Sequence, residues 1–309
     1  GAGSATAGPG ALGGSVKFTT KDPEDLLKAG KQFGALFKAG VSSNGDGNKN
    51  SVTLFGQSES GRIGGMLSVM QDEVDDIEGG NGEEIEGTNS EQDLGYAKFV
   101  ANITDEQYLS LSYEQIEEEG DVLYRPEWIA SSFNVAEPTE GERKTTTLNY
   151  GFTSDSSDML DLLVTVYDTE YYQSREFRGT EYNGAVESKG LTIQNTSIFA
   201  NQKLIYGINY RDDTSYLNDI DFAPGNTYFE ETGEVKGVYV QDIITVNDIL
   251  TVSTGVRFDQ YELNDESGDS QSDSDSESVL DNSIIIDVED INNFKKNYNE
   301  YLKTNITSK

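Results

Sequence analysis

The chain has 309 residues, with 56 Asp or Glu against 22 Lys or Arg, a formal net charge of -34, and neither histidine nor cysteine. Such a balance repels phosphate backbones and excludes nucleic acid as a partner. The missing thiols and imidazoles remove the usual nucleophiles, general bases, disulfides and zinc sites, so no enzyme activity and no resident cofactor are expected.

Hydrophobic residues make up only 35% of the chain, and 32 Gly and 17 Tyr beside 5 Pro describe strands and turns rather than helices. No apolar run of about 18 residues predicts a transmembrane helix, and no charged, apolar leader of the secretory kind opens the sequence. The first recognisable stretch is "GPGALGGSVKFTTKDPEDLL" at 8–27, a small-residue turn, a short strand over 15–20 and a break at Asp22-Pro23. Gly8, Gly10 and Gly13 satisfy G-x-G-x-x-G. A strand follows them where a nucleotide loop needs a helix, so turn geometry is the better account.

Period-two patterns then predict eleven strands at 33–43, 50–59, 62–72, 94–103, 108–117, 143–153, 159–172, 189–199, 203–212, 234–244 and 249–263. In "ILTVSTGVRFDQY", Leu250, Val252, Thr254, Val256 and Phe258 share one face, and Thr251, Ser253, Gly255, Arg257 and Asp259 the other. The connections alternate. "SESGR", "TDEQ", "TSDSSD", "ANQK" and "TVND" are tight, whereas the links at 73–93, 118–142, 173–188 and 213–233 are long and acidic. Short turns at one rim, long loops at the other, and strands of about 10 residues describe an antiparallel outer-membrane β-barrel. Tyr108, Tyr113, Tyr150, Tyr206, Tyr210, Phe258 and Tyr261 lie near strand ends, where an interfacial girdle is expected. A soluble or surface-anchored all-β module with acidic, calcium-binding loops is the competing class.

Among chemistry-bearing stretches, Asp46, Asn48 and Asn50 in "DGNKN" are spaced like calcium ligands, but the distal glutamate is missing and the same residues favour a hairpin turn. Glu83, Glu84 and Glu86, and Glu117, Glu118, Glu119 and Asp121, are placed in the long loops as solvated charge or a divalent-cation or basic-protein surface. Tyr124, Arg125 and Trp128 in "LYRPEW" read equally as recognition anchors and as a loop packing its own Trp. Arg211, Arg257 and Asp259 are expected on a water-filled inner face. After Leu263 the acidic run "NDESGDSQSDSDSES" reads as disordered loop, followed by an Asn- and Lys-rich tail with a short helix near 290–302. Eleven strands leave two open edges, which lipid does not tolerate. The chain is therefore expected to be half of a barrel that does not insert alone, its tail a divergent loop, a truncation or a change of reading frame.

The opening segment resembles the plug-to-barrel junction of TonB-dependent outer-membrane receptors, in which a Gly/Ala turn, "GALGG", an apolar strand and "TKDP" close the plug. Phe18, Thr20, Lys21, Asp22, Pro23, Asp25, Leu26, Leu27, Gly30, Phe33 and Gly34 match the "FxTKDPxDLLxxGxxFG" arrangement of the haemoglobin and haem receptor subgroup. "GVYVQDIITVNDILTVSTGVRFDQYEL" is similar to a family hairpin midway round the barrel. The resemblance implies residues 1–32 as the end of the plug and linker, 33–263 as the first half of a barrel of about 22 strands, and 264–309 as acidic loop and atypical tail. It further implies import of an iron-containing ligand (haem, haem protein or, alternatively, a ferric siderophore), coupling to the TonB complex, and contact with outer-membrane lipid. Without histidine, an imidazole haem ligand from this stretch is ruled out.

Overall fold

The computed structural model describes Thr6 and residues 18–177, 180–219, 227–247, 250–265 and 272–285, the last stretch as backbone only. A short helix α1 (Pro23–Leu26) precedes β1 (Phe33–Val41), β2 (Asn48–Gln57), β3 (Ile63–Val74), β4 (Ser90–Asn102), β5 (Gln107–Leu123) and β6 (Ala136–Thr153). Then come β7 (Asp161–Phe177), β8 (Thr180–Phe199), β9 (Gln202–Asp219), β10 (Thr227–Asn247), β11 (Leu250–Asp265) and β12 (Ser272–Ile285). They form one 12-stranded sheet in strict sequence order, each strand antiparallel to the next. No described helix is long and apolar enough to cross a membrane.

The two faces of the sheet are inverted relative to a water-soluble protein. One carries an apolar row that passes from strand to strand in register: Leu54 opposite Leu67, Phe99 opposite Leu111, Leu111 opposite Leu148, Leu148 opposite Val166, Ile193 opposite Ile208, and Val238 opposite Phe258. Most of these side chains are exposed. The other face holds polar groups that satisfy one another: Thr53 with Ser68 at 2.8 Å, Thr165 to Asn149 at 2.8 Å, and Gln241 to Ser253 at 2.7 Å. A barrel wall that meets lipid outside and a polar lumen inside has this arrangement.

Arg257 and Asp259 occupy the polar face of β11, as the alternation predicts, with only 2% and 0% of their surfaces exposed. Arg257 Nε donates to Asp259 Oδ2 at 2.7 Å, Nη2 lies 2.6 Å from Oδ1, and Asn209 Oδ1 accepts from Nη2 at 2.5 Å. The guanidinium also lies 5.5 Å from the Tyr239 ring centre. Gly237 sits beneath this cluster, where a Cβ would come within 2.3 Å of Arg257 Nη2. Arg211 shares that face and donates from Nε to Asp213 at 2.7 Å.

At the short-turn end the opening motif acquires a physical role. Asp22 begins α1 and pairs with the buried ammonium of Lys98 on β4 at 2.6 Å, while Tyr108 donates to its other oxygen at 3.1 Å. Lys98 also donates to the Thr20 carbonyl at 3.1 Å, Tyr96 donates to the Thr20 hydroxyl at 2.9 Å, and the fully buried Pro23 packs on Gly64. "TKDP" is thus a clasp that holds the chain against the polar face of β3, β4 and β5. Of the strand expected over 15–20, residues 18–20 are irregular and the rest lies outside the described residues, as do Gly8, Gly10 and Gly13.

Several expectations are corrected. Strands β5 to β10 run 17 to 21 residues, well beyond the predicted spans, so the first two long links shrink to 75–89 and 124–135, and strand takes up most of those expected at 173–188 and 213–233. Glu117, Glu118, Glu119 and Asp121 consequently lie on β5 instead of in a loop. The acidic run after Leu263 does not remain wholly loop, because 272–285 pair with β11 as a twelfth strand. Backbone groups along an unpaired edge accept any sequence lacking proline, whatever its side chains. The helix expected near 290–302 falls outside the described residues. Within the aromatic girdle, Tyr113, Tyr150, Tyr206, Tyr210 and Phe258 are on the apolar face. Tyr108 and Tyr261 are on the polar face, opposite Gly151 and Val235.

At the long-link end, the β1–β2 turn and the 75–89 loop lock together. Asp75 N–H donates to the Gly45 carbonyl at 2.7 Å, and Glu78 N–H donates to Asn44 Oδ1 at 2.6 Å. Gly45 has φ 71°, and a Cβ there would meet the Asp75 carbonyl at 2.6 Å, so glycine is required. Asp76 closes the loop by accepting from the N–H groups of Thr88 and Asn89, both at 2.8 Å. Burial alone would raise the Asp76 pKa, but these hydrogen bonds outweigh it and hold the carboxyl below its usual value.

Two outcomes are expected. Because the folded Asp76 pKa is depressed, its support for the loop is present above the unfolded value of about 3.9 and is lost as pH falls through the folded value. Hydrogen-exchange protection of Thr88 and Asn89 should therefore collapse below about pH 4, and Asp76→Asn should abolish that pH dependence. Replacing Arg257 with Met leaves Asp259 buried without its cation and should lower barrel stability by about 3–5 kcal/mol, read from the urea midpoint in detergent. The double change with Asp259→Leu should recover most of the loss.

Candidate functional site

The β5–β6 loop, 124–135, is built around one side chain. Asn134 is 2% exposed; its Oδ1 accepts from Arg125 N–H at 2.8 Å, and its Nδ2 donates to the carbonyls of Arg125 at 3.0 Å and Ile129 at 3.3 Å. Ser131 and Asn134 exchange backbone hydrogen bonds at 3.0 Å, and Trp128 N–H closes a turn on the Arg125 carbonyl at 3.0 Å. An asparagine satisfies loop carbonyls in this way because its amide offers two donors and an acceptor.

The staple displays side chains. The Arg125 guanidinium lies 4.9 Å from the Trp128 ring centre and 5.7 Å from that of Tyr124, with Glu127 at 3.9 Å from Nη1. The three residues named from sequence thus form one cation–π stack. Beside them Trp128, Ile129 and Phe133 are 60%, 90% and 79% exposed. Ile129 and Phe133 escape the sequence analysis because loop residues carry no periodicity. The signal that marks them is the apolar cluster "WIASSF" inside an otherwise acidic link.

The base of this loop opens onto a vestibule on the polar face, at the long-link end. A cavity of about 650 Å³ is lined by Tyr124, Tyr171, Arg175, Tyr182, Leu217 and Phe229, among others. Arg175 donates from Nη1 to the Tyr124 carbonyl and from Nε to Thr139 Oγ1, both at 3.3 Å, which fixes the cation at the vestibule edge. Gly184, opposite Gln173 and next to these rings, keeps the floor low. Aromatic walls with one oriented guanidinium suit a flat, partly apolar ligand bearing anionic groups. Of these strand residues, Tyr171 falls at the end of the strand predicted over 159–172, whereas Arg175, Tyr182, Gly184, Leu217 and Phe229 lie within links that the sequence analysis leaves unstructured.

The other candidates do not assemble. Asp46 sits in the β1–β2 turn, and Asn50 Nδ2 donates to Asn48 Oδ1 at 3.0 Å, occupying the oxygen a cation would need. Glu83 accepts from Asn81 at 2.6 Å, and Glu86 accepts from Ala136 N–H at 3.3 Å, so these acids tie loops together. Among the described residues, no group of three or more acidic side chains converges as a metal site.

Comparison with known proteins agrees with this geometry. Residues 79–302 match the family model for the TonB dependent receptor-like β-barrel. The chain is 26% identical over 270 residues to the heme transporter BhuA of Brucella ovis, covering 84% of this chain and 39% of that protein. It is 25% identical over 297 residues to the TonB-dependent heme receptor A of Haemophilus influenzae, covering 82% and 40%. Among solved structures, the FrpB iron transporter from Neisseria meningitidis superposes with a TM-score of 0.72 at 20% identity, over 87% of this chain and 46% of that one. The Serratia marcescens hemophore receptor HasR, in complex with its hemophore HasA and heme, gives a TM-score of 0.66 at 18% identity, over 88% and 43%. The chain spans less than half the length of the curated relatives it matches. With apolar rows on one face, polar networks on the other and a family match over most of its strands, the chain belongs to the TonB-dependent receptor-like β-barrel family.

Proposed function

We propose that the chain forms wall and ligand mouth of a receptor that carries an iron source, haem or a haem protein, across the outer membrane of a Gram-negative bacterium. The observation that carries this reading is the vestibule, with Tyr171, Tyr182 and Phe229 around a cavity of about 650 Å³ and Arg175 at its edge. A porphyrin stacks on such rings, and its carboxylates pair with a guanidinium. The chain has no histidine to offer the iron, whereas the vestibule offers phenol oxygens, which also ligate haem iron.

The names of the curated relatives, heme transporter and heme receptor, support the same ligand class. In this reading the exposed apolar rows meet membrane lipid, and Tyr124, Arg125 and Trp128 form the outer lip. Residues 1–32 end the plug, and Asp22 clasps the 20–23 stretch of that segment to the wall through Lys98. Binding and passage, driven by the TonB complex, are the task.

Deleting the gene should abolish growth on haemin as sole iron source while leaving growth on ferric citrate intact. Normal growth on haemin with loss on a ferric siderophore would transfer the assignment to siderophore uptake. Tyr171→Ala with Arg175→Ala should weaken haemin binding about tenfold or more, since a charged hydrogen bond alone contributes about 1.5–3 kcal/mol. Arg175→Lys should lose less.

A further inference from the structure

We infer that two copies of the barrel associate within the membrane through the outer face of β9 and β10, where Asp242 of one copy meets Tyr206 of the other. The inference goes beyond the transport reading and depends only on the barrel wall. On β10 the outward positions run Val238, Val240, Asp242 and Ile244, because Val238 lies in the apolar row and the ladder to β11 stays regular as far as Thr245. The stretch 238–246 has the length of a membrane crossing, about 9–11 residues, and Asp242 stands at its centre. The ladder sets it opposite Leu204 on β9 and Thr254 on β11. An acid at this depth, on the side that faces lipid, is costly and persists where a partner meets it. On β3 to β7 the apolar row turns Leu67, Phe99, Leu111, Leu148 and Val164 outward instead.

Beside Asp242 the polar groups are incompletely paired. Asn195 on β8 is buried, and its Nδ2 donates to the Met159 carbonyl at 3.0 Å, to Ser197 Oγ at 3.1 Å and to the Tyr206 phenol oxygen at 2.9 Å. Tyr206 is exposed on the same face and, having accepted from Asn195, keeps its own phenol hydrogen for a further acceptor. The half-buried carboxyl of Asp242 has an oxygen, Oδ1, that receives no hydrogen bond. Rotation about its broad terminal torsion brings that oxygen outward. One strand thus offers a donor to the surface, and the next holds an acceptor that lacks one.

A second copy supplies both. A two-fold axis along the membrane normal, passing between β9 and β10, sets this patch against itself, so that each residue of the pair meets the other twice. Tyr206 stands one side-chain repeat from Leu204, about 7 Å along the strand, and its ring spans that step to the level of Asp242. Lipid tails offer neither donor nor acceptor. A cation from another protein would answer Asp242 and leave the phenol without an acceptor. Apolar contact gains little over lipid inside a membrane, so packing and hydrogen bonds decide association. Ile208, Val238, Val256 and Phe258, all exposed around the pair, supply the packed surface.

The test uses the complete receptor reconstituted in phospholipid bilayers, with dimer fraction read from energy transfer between differently labelled copies as the ratio of lipid to protein is raised. Wild type should associate reversibly. Asp242→Val should weaken association at least tenfold while leaving the urea midpoint in detergent unchanged or higher, since an acid leaves the apolar face. Tyr206→Phe, which keeps the ring and drops the hydroxyl, should weaken it severalfold. Leu148→Ala, on the outer face of β6, should change nothing. A wild type that stays monomeric at every ratio overturns the inference, and so does unchanged association in both Asp242→Val and Tyr206→Phe. Loss of association together with a lowered urea midpoint in Asp242→Val also overturns it, because the acid would then serve the barrel's own fold. Equal weakening by Leu148→Ala would mark the association as non-specific crowding and overturn it as well.

Discussion

Every strand in this sheet must give its backbone N–H and C=O groups to a neighbour, because an apolar surrounding offers no water to replace a missing partner. That requirement explains the strict meander from β1 to β12, in which each strand pairs with the next in sequence. It also fixes the alternation, since a ladder that satisfies the backbone sends successive side chains to opposite faces. The exposed Leu, Val, Ile and Phe on one face and the hydrogen-bonded Thr, Ser, Asn and Gln on the other follow from that single constraint.

Beyond the apolar rows the same ladder continues without its greasy face. A spanning strand needs about 9–11 residues, yet β8 has 20 and β10 has 21. The surplus rises about 3.3 Å per residue along each strand and builds the wall of the vestibule. Here Glu91 stands opposite Glu119, and Glu119 opposite Glu140. Like charges across a pair are unfavourable, but these side chains are exposed to solvent, where the repulsion is weak and the backbone ladder prevails.

The polar face is organised by a few charged groups with definite partners. Lys98 holds the opening segment through Asp22 at one end of the sheet, Arg257 and Asp259 close a buried pair on β11, and Arg175 ties the β5–β6 loop to the vestibule at the other end. Each is tied to backbone, hydroxyl or amide groups beside it, which is the condition under which buried charge is tolerated. Gly237 leaves the room that the Arg257 cluster fills.

The sequence by itself determined the architecture of the strands, their order and faces, and the family resemblance of the opening motif. Leu250 to Asp259 alternate so regularly that Arg257 is assigned to the polar face without coordinates, and all eleven predicted strands occur within a few residues at their short-turn ends. At the long-link ends only the tertiary structure decided. Tyr182 and Phe229 lie where neither face is covered by lipid, so no apolar alternation marks them as strand, and only pairing across β7 to β10 brings them to Tyr171, at the end of a strand predicted from sequence. Tyr108 is likewise ambiguous in sequence until its hydroxyl is seen to donate to Asp22, a residue 86 positions away. The Asn134 staple is invisible for the same reason. Periodicity reports which face a solvent or a lipid covers, whereas a loop's shape depends on hydrogen bonds that any asparagine could make and that only the folded chain assigns.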